Sequence, residues 1–183
     1  CLSVHLFLKP NECVLNKANV KVLFTVVGFL GNDYVSDLRN SKEEVASLEQ
    51  IVVLRGDILE GTISFQDFLA RSSTEALKEA EGRAMDVSGS DLGLIMFTSG
   101  TTGVPKGVMV EQGPIIRGFS HYARELGMRE GDRMLIVNPF FHAFGFNGAI
   151  NPCFIHGATM LPHPVFDVPS VLKRIQNARV TVF

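Results

Sequence analysis

Apolar positions along the chain form short runs separated by glycine, proline and polar clusters, and the runs alternate between the strand and the helix period. Pro10-Asn11 offers a helix start, and Val14, Leu15 and Ala18 follow at helical spacing in a short helix ending near Asn19. Residues 20–27, VKVLFTVV, are β-branched and bounded by Gly28 and Gly31, which predicts a buried strand. A helical turn is expected over 33–38, a second short strand over 51–54, and a helical stripe at Phe65, Phe68 and Leu69. The polar run 72–83 reads as an exposed helix or a mobile connection, with Ser88-Gly89-Ser90 as a linker after it.

The second half repeats the alternation. Residues 92–97 are apolar or small at both alternating sets of positions, the pattern of a strand covered on both faces as in a parallel sheet, and 108–110 is a further short strand. Pro114 opens a helix whose core stripe is Ile115, Phe119, Tyr122 and Leu126, ended by Gly127. Residues 134–137, MLIV, form another apolar strand. A helix over 146–156 is shortened or kinked by Asn151-Pro152 and ended by Gly157, and a strand follows over 158–161. Asp167 caps a last helix that turns Val171, Leu172 and Ile175 to the core, and 179–183 looks like a strand just starting. Strands alternating with helices give an α/β fold, a layered sheet with flanking helices.

The candidate chemistry begins where the strand 92–97 stops. Thr98, Ser99, Thr101 and Thr102 supply hydroxyls, and Gly100 and Gly103 let the backbone approach a ligand closely. Together they can aim hydroxyls and N–H groups at an anion. Pro105 stiffens the exit, and Lys106 adds a cation suited to phosphate oxygens. Each charge-assisted hydrogen bond of this kind is worth ~1.5–3 kcal/mol, so several in one loop could hold a triphosphate. The Walker A pattern does not fit, since Pro105 precedes the lysine and Gly107 follows it, and no G-x-G-x-x-G is present.

A second cluster follows the strand 134–137: Asn138-Pro139-Phe140-Phe141-His142-Ala143-Phe144-Gly145-Phe146. The X-Pro dipeptide forces an extended turn and places the aromatics and His142 at a sheet edge. Thr98 and His142 both follow strand ends, where open α/β sheets bind ligands. His142 is either a ring hydrogen-bonded to a neighbouring backbone carbonyl or a donor to a substrate oxygen.

Residues 98–107, TSGTTGVPKG, resemble the phosphate loop of the adenylate-forming enzymes, the superfamily of acyl-CoA synthetases, luciferases and peptide-synthetase adenylation domains. The Phe-Phe-His turn resembles that family's second signature, which borders the acyl substrate and adenylate. Peptide-synthetase domains usually lack the histidine, so its presence favours acyl- or aryl-CoA ligases and luciferase-like relatives. The resemblance implies a partial N-terminal domain of the acyl-CoA synthetase (luciferase-like) fold, with 1–90 supporting and 91–183 carrying the phosphate loop and the start of the acyl and adenylate pocket. It implies ATP, Mg²⁺ and CoA as cofactors and cosubstrate and a small-molecule carboxylic acid as partner. Thr98 would help ligate Mg²⁺, Ser99, Gly100, Thr101, Thr102 and Gly103 would wrap the phosphates, and Lys106 and His142 would act in catalysis.

The family's later tyrosine-glycine-x-threonine-glutamate motif, its ribose-binding aspartate and the lysine of its C-terminal domain have no counterpart here. Together with the absence of an initial methionine, this gives the expectation of a fragment that does not complete adenylation alone and lacks the remainder of its parent chain. Two alternatives stay open: an adenylation domain, aryl-acid ligase or luciferase-like enzyme, and a truncated non-catalytic nucleotide-binding or interaction fragment.

Composition narrows the rest. With 46% hydrophobic and 20% charged residues the chain is an ordinary globular sequence, and a net charge of -2 without a local Lys/Arg cluster argues against a nucleic-acid partner. No apolar run reaches the length of a membrane span. Residues 1–8 are apolar without a basic leader, so they read as a short strand or a product of where the chain was cut. Cys1, Cys13 and Cys153 show no C-x-x-C spacing, which points to a reducing, cytoplasmic location rather than a disulfide framework or zinc site. Glu43-Glu44 reads as a solvated face, His121 as a surface or boundary residue on its helix, and His156 and His163 as loop histidines with no metal spacing to His142.

Overall fold

The computed structural model describes residues 11–40, 45–98 and 104–183. The expected strand within 1–8, Glu43-Glu44 and the loop residues Ser99 to Gly103 lie outside the described residues. The chain divides into two units, one holding the residues up to Val87 with Ile95–Met109, the other Ser88–Leu94 with Val110–Phe183.

In the first unit α1 (Asn11–Lys17) leads into β1 (Val22–Val26), the short antiparallel pair β2 (Gly28–Phe29) and β3 (Asn32–Asp33), and α2 (Tyr34–Arg39). Then come β4 (Gln50–Arg55), β5 (Thr62–Ser64), α3 (Phe65–Ala70) and α4 (Thr74–Met85). β4 is central in a parallel sheet of order β1-β4-β5, with Leu23 opposite Ile51 and Ile51 opposite Thr62. Its Val52 and Val53 are buried, as a strand flanked on both edges requires. Leu15, Val20 and Leu23 form the core that fixes α1 to the sheet, with Ala18, Leu38, Val45 and Leu48 packed around them.

The strand expected over 20–27 begins at Val22, because Val20 N–H turns back to Leu15 O while Asn19 takes a positive φ of 49°. That contact closes α1 before the strand starts. α3 seats Phe65 and Phe68 edge-on against Phe24, at centroid distances of 6.3 and 5.2 Å, but Leu69 faces outward. Of the two alternatives for 72–83, the chain forms the exposed helix, with Ser73 Oγ accepting from Ala76 N–H.

β6 (Leu92–Thr98) and β7 (Lys106–Glu111) pair as a two-stranded ribbon. The expectation of a strand covered on both faces is not met. Leu92 is exposed and residues 94–97 are only half-buried, because β7 is the one strand paired with β6 among the described residues.

The second unit continues with α5 (Gln112–Glu125), β8 (Arg133–Ile136), a π-helical segment (Phe144–Ile150), α6 (Asn151–His156), β9 (Thr159–Pro162) and α7 (Val168–Asn177). β8 and β9 pair in parallel, Met134 opposite Met160 and Leu135 opposite Leu161. On the other edge of β8, Met134 makes a parallel bridge to Val182, so the strand expected over 179–183 starts there.

Alternation along β8 makes two cores. Met134 and Ile136 join Ala123, Met128, Ala149 and Cys153, while Leu135 joins Leu161 and Val171. Helices therefore cover both faces of this sheet, which is the expected α/β layering.

Several boundaries differ from the pattern. α5 starts at Gln112 rather than Pro114, since proline is tolerated anywhere in a first turn whose N–H groups have no helical acceptor. Leu126 and Leu172 face outward, because each sits at the edge of its apolar stripe, where no second element reaches it. The 88–90 segment is tied down rather than loose: Gly89 O accepts from Gly113 N–H at 2.7 Å and Asp91 O from Gln112 N–H at 2.9 Å.

The expected kink before Pro152 takes the form of the π-helical segment. Pro152 has no N–H to donate and its ring crowds the carbonyl four residues back, so the turn widens, and Asn151 N–H bonds Phe146 O five residues back.

Asp132 locks the chain end onto β8. Its carboxylate accepts from Thr181 Oγ1 at 2.8 Å and from Arg129 N–H at 2.9 Å, and these bonds, the threonine's first, hold its pKa below the ordinary 3.8. A lowered folded pKa gives stability that is present above the unfolded value and lost as pH falls through the folded one. Asp132→Asn is therefore expected to lower the thermal midpoint near pH 6 and to make progressively less difference as pH falls below ~4. Equal effects at both pH values would remove the carboxylate from that role.

Candidate functional site

The two strands of the β6–β7 ribbon end on either side of the hydroxyl-rich loop. Thr98 is the last residue of β6 and Lys106 the first of β7, two positions earlier than the strand expected at 108. The two strands are in close contact at the loop's base. A Cβ at Gly107 would come within 3.0 Å of Ile95 Cγ2 and 3.3 Å of the Phe97 ring, so glycine after the lysine lets β7 approach β6.

Both chemical groups are open to solvent. Thr98 and Lys106 are exposed, and neither the hydroxyl nor the ammonium has a hydrogen bond or ion pair among the described residues. Ser99, Gly100, Thr101, Thr102 and Gly103, expected to wrap the phosphates, lie outside the described residues. An exposed hydroxyl at the end of one strand and an exposed ammonium at the start of its paired strand are groups that suit an anion.

Thr98 Oγ is a hard neutral oxygen of the kind Mg²⁺ takes. Among the described residues no cluster of three or more His, Cys, Asp or Glu could hold a metal ion by itself. A magnesium ion here would have to draw most of its shell from phosphate oxygens and water, its usual mode in nucleotide sites.

The exit of the loop has a tether that the sequence did not suggest. Lys17 Nζ, in the last turn of α1, donates to Pro105 O at 3.0 Å. Pro105 is buried and has no N–H, so this carbonyl is its only main-chain polar group. A lysine in the last turn of a helix reads as a solvated partner of the helix dipole, and no local pattern relates positions 17 and 105.

His142 belongs to the second unit, in the turn between β8 and the π-helical segment. Three bonds fix it. His142 N–H donates to Pro139 O at 3.0 Å, His142 O accepts from Phe146 N–H at 3.1 Å, and the ring Nδ1 accepts from Phe144 N–H at 3.2 Å. The last bond corrects the expectation of a ring bonded to a backbone carbonyl: Nδ1 is an acceptor, so the neutral ring carries its proton on Nε2. The side chain is exposed, and Nε2–H is available to donate to a carboxylate or phosphoryl oxygen.

Aromatic packing supports this turn from α5. Phe119, Tyr122 and Phe144 stack edge to face at 6.2 and 6.3 Å. Gly145 lies against the start of the turn, where an added Cβ would overlap the Pro139 carbonyl oxygen and come within 2.8 Å of Asn138 O. A side chain at 145 would push the histidine's own hydrogen-bond acceptor out of place.

The α/β fold thus carries the Thr98–Lys106 ribbon in one unit and the His142 turn in the other. The chain matches the AMP-binding enzyme family over residues 10–183 and belongs to it. It is 35% identical over 172 residues to a methyl-dioxo-octahydro-indenyl propanoyl:CoA ligase of Rhodococcus jostii (strain RHA1), across 92% of this chain and 33% of that protein. Among solved structures, an anthranilate CoA ligase, AuaEII, in complex with anthranoyl-AMP matches with a TM-score of 0.73 at 26% identity, over 93% of this chain and 31% of that one. The N-terminal domain of FACL13 from Mycobacterium tuberculosis shares the fold, with a TM-score of 0.64 at 24% identity over 92% of this chain and 38% of that one. The fold is thus that of acyl-CoA synthetase N-terminal domains, and the chain spans about a third of the length of the curated relatives it matches. No helix among the described residues is long and apolar enough to cross a membrane.

Proposed function

We propose that this chain is the phosphate-binding part of an ATP-dependent acyl-CoA ligase. In the reaction, a carboxylate oxygen attacks the α-phosphorus of ATP and the bond to the pyrophosphate oxygen breaks. The thiol sulfur of CoA then attacks the acyl carbon, and AMP leaves. The observation that carries the proposal is an exposed Thr98 and an exposed Lys106 at the two ends of the loop, without partners among the described residues, within a chain that matches the family along 10–183.

The role of the loop is electrostatic. Lys106, with Ser99, Gly100, Thr101, Thr102 and Gly103, holds the β- and γ-phosphates as charge moves onto the leaving pyrophosphate. Thr98 would be a protein ligand to Mg²⁺, and the ion would neutralise phosphate charge. His142, fixed as an Nε2–H donor, orients the carboxylate or the adenylate oxygen. The remainder of the enzyme supplies the groups with no counterpart here, so the 183 residues alone do not complete adenylation.

The test is carboxylate-dependent ATP–pyrophosphate exchange by the full-length protein with fatty, aromatic and fused-ring propanoic acids. Exchange with one class is the expected result. The methyl-dioxo-octahydro-indenyl propanoyl:CoA ligase and the anthranilate CoA ligase among the relatives make the fused-ring and aryl acids the first to try. No exchange with any of them would leave the non-catalytic alternative standing.

A further inference from the structure

We infer that Lys17 is a positioning residue for the phosphate loop, acting through the Pro105 carbonyl on the lysine that follows it. The inference rests on the loop serving as a phosphate cradle, and it assigns a task to a part of the chain that otherwise packs and supports.

The contact joins a packed helix to the residue that precedes β7. α1 is anchored by Val14 and Leu15, 3% and 0% exposed, and Leu15 packs against Val20 and Leu23 beside the parallel sheet. Lys17 projects from that fixed base and donates to Pro105 O at 3.0 Å. Pro105 and Lys106 share the peptide whose oxygen is bound, so the bond fixes the plane from which the Lys106 Cα and side chain depart.

Chemistry favours a cation in this position. Pro105 has no N–H, so its carbonyl is the one main-chain polar group through which this residue can be held. An ammonium on the carbonyl makes a charge-assisted bond, stronger than a neutral donor would give. It also brings a positive charge to the peptide that joins Pro105 to Lys106. Among the described residues Lys17 has no ion pair, and its side chain makes one hydrogen bond, to Pro105 O.

The experiment compares Lys17→Met and Lys17→Arg with wild type in the full-length ligase that carries this sequence. Lys17→Met is expected to raise the KM for ATP in pyrophosphate exchange by about 3–10-fold, the fold-change equal to the net worth of one hydrogen bond, with the KM for the carboxylic acid unchanged. Lys17→Arg, which keeps charge and reach, is expected to recover most of the loss. Amide hydrogen exchange gives an independent readout: Lys17→Met should speed exchange at 106–109, with no change at Arg133–Ile136. Unchanged ATP KM together with unchanged exchange at 106–109 overturns the inference. So does an equal rise in both KM values with faster exchange everywhere, which is general destabilisation. Should wild type itself show no carboxylate-dependent exchange, the ligase proposal fails, while the hydrogen-exchange comparison still decides whether Lys17 holds the loop.

Discussion

Lys106→Ala in the full-length protein is expected to lower carboxylate-dependent ATP–pyrophosphate exchange by ~10²–10³-fold, the usual cost of removing one electrostatic donor aimed at developing charge. The side chain makes this a clean measurement. Lys106 is exposed and its ammonium binds nothing else among the described residues, so its removal costs the fold little and the loss falls on the reaction. Lys106→Arg separates charge from shape: a guanidinium keeps the cation but spreads it over a planar fork, and it should restore part of the rate. Neither variant should shift the thermal midpoint by more than a surface substitution does, within ~0.5 kcal/mol. An unchanged exchange rate for Lys106→Ala would refute the assigned role.

On the roles proposed above, replacements of Lys106 and of His142 should have different signatures. A lysine proposed to hold phosphate should be missed with every acid tested, and a histidine proposed to orient the carboxylate should, when replaced, change rates in a way that depends on the acid. That difference follows from where each side chain stands in the chain: one opens the strand after the loop, the other lies in a turn of the second unit.

Much of this was legible because local rules carried it. Asp167 was expected as a cap, and it accepts from Ser170 N–H at 3.0 Å. Gly127 and Gly157 were expected to end helices, and both take a φ of 68°, the left-handed conformation that glycine adopts without strain. The alternating apolar runs gave the strands, and the ten-residue loop gave the family.

What was not legible depends on partners far along the chain. The pattern at 92–97 encodes an apolar strand but not the single pairing with β7 that leaves Leu92 in solvent. Periodicity placed Val171 and Leu172 on one stripe, yet only Val171 meets the Leu135–Leu161 core, since neighbours on a helix point ~100° apart. The π-helical segment needed knowledge of how the chain accommodates Pro152. Nor could spacing reveal that Lys17 reaches Pro105, or that a backbone N–H, rather than a carbonyl, sets the His142 tautomer.

Gly145→Ala is expected to loosen the second unit more than any other single methyl addition in the His142 turn. The added carbon would overlap the Pro139 carbonyl oxygen and crowd Pro139 C at 2.7 Å and Asn138 O at 2.8 Å, all main-chain atoms without a rotamer to yield. Moving the Pro139 carbonyl would break its bond from His142 N–H, so relief of the overlap dismantles the turn that holds the ring. Overpacking of this kind costs ~1–3 kcal/mol. Cys153 reports it. The thiol is 1% exposed in the core with Met134 and Ala149, and burial raises its pKa, so it reacts with a thiol reagent only when the unit opens. In a background with Cys1→Ser and Cys13→Ser, Gly145→Ala should speed Cys153 labelling by ~5–150-fold, the same free energy expressed as an opening equilibrium. Gly118→Ala is the control: it lies within α5 with nothing inside 4 Å of an added Cβ, so alanine should slow labelling by ~2–5-fold through helix propensity. Labelling of Gly145→Ala at the wild-type rate would mean that the close approach of residue 145 to Pro139 is not what shapes the turn, and the fixed Nε2–H orientation of His142 would lose its structural basis.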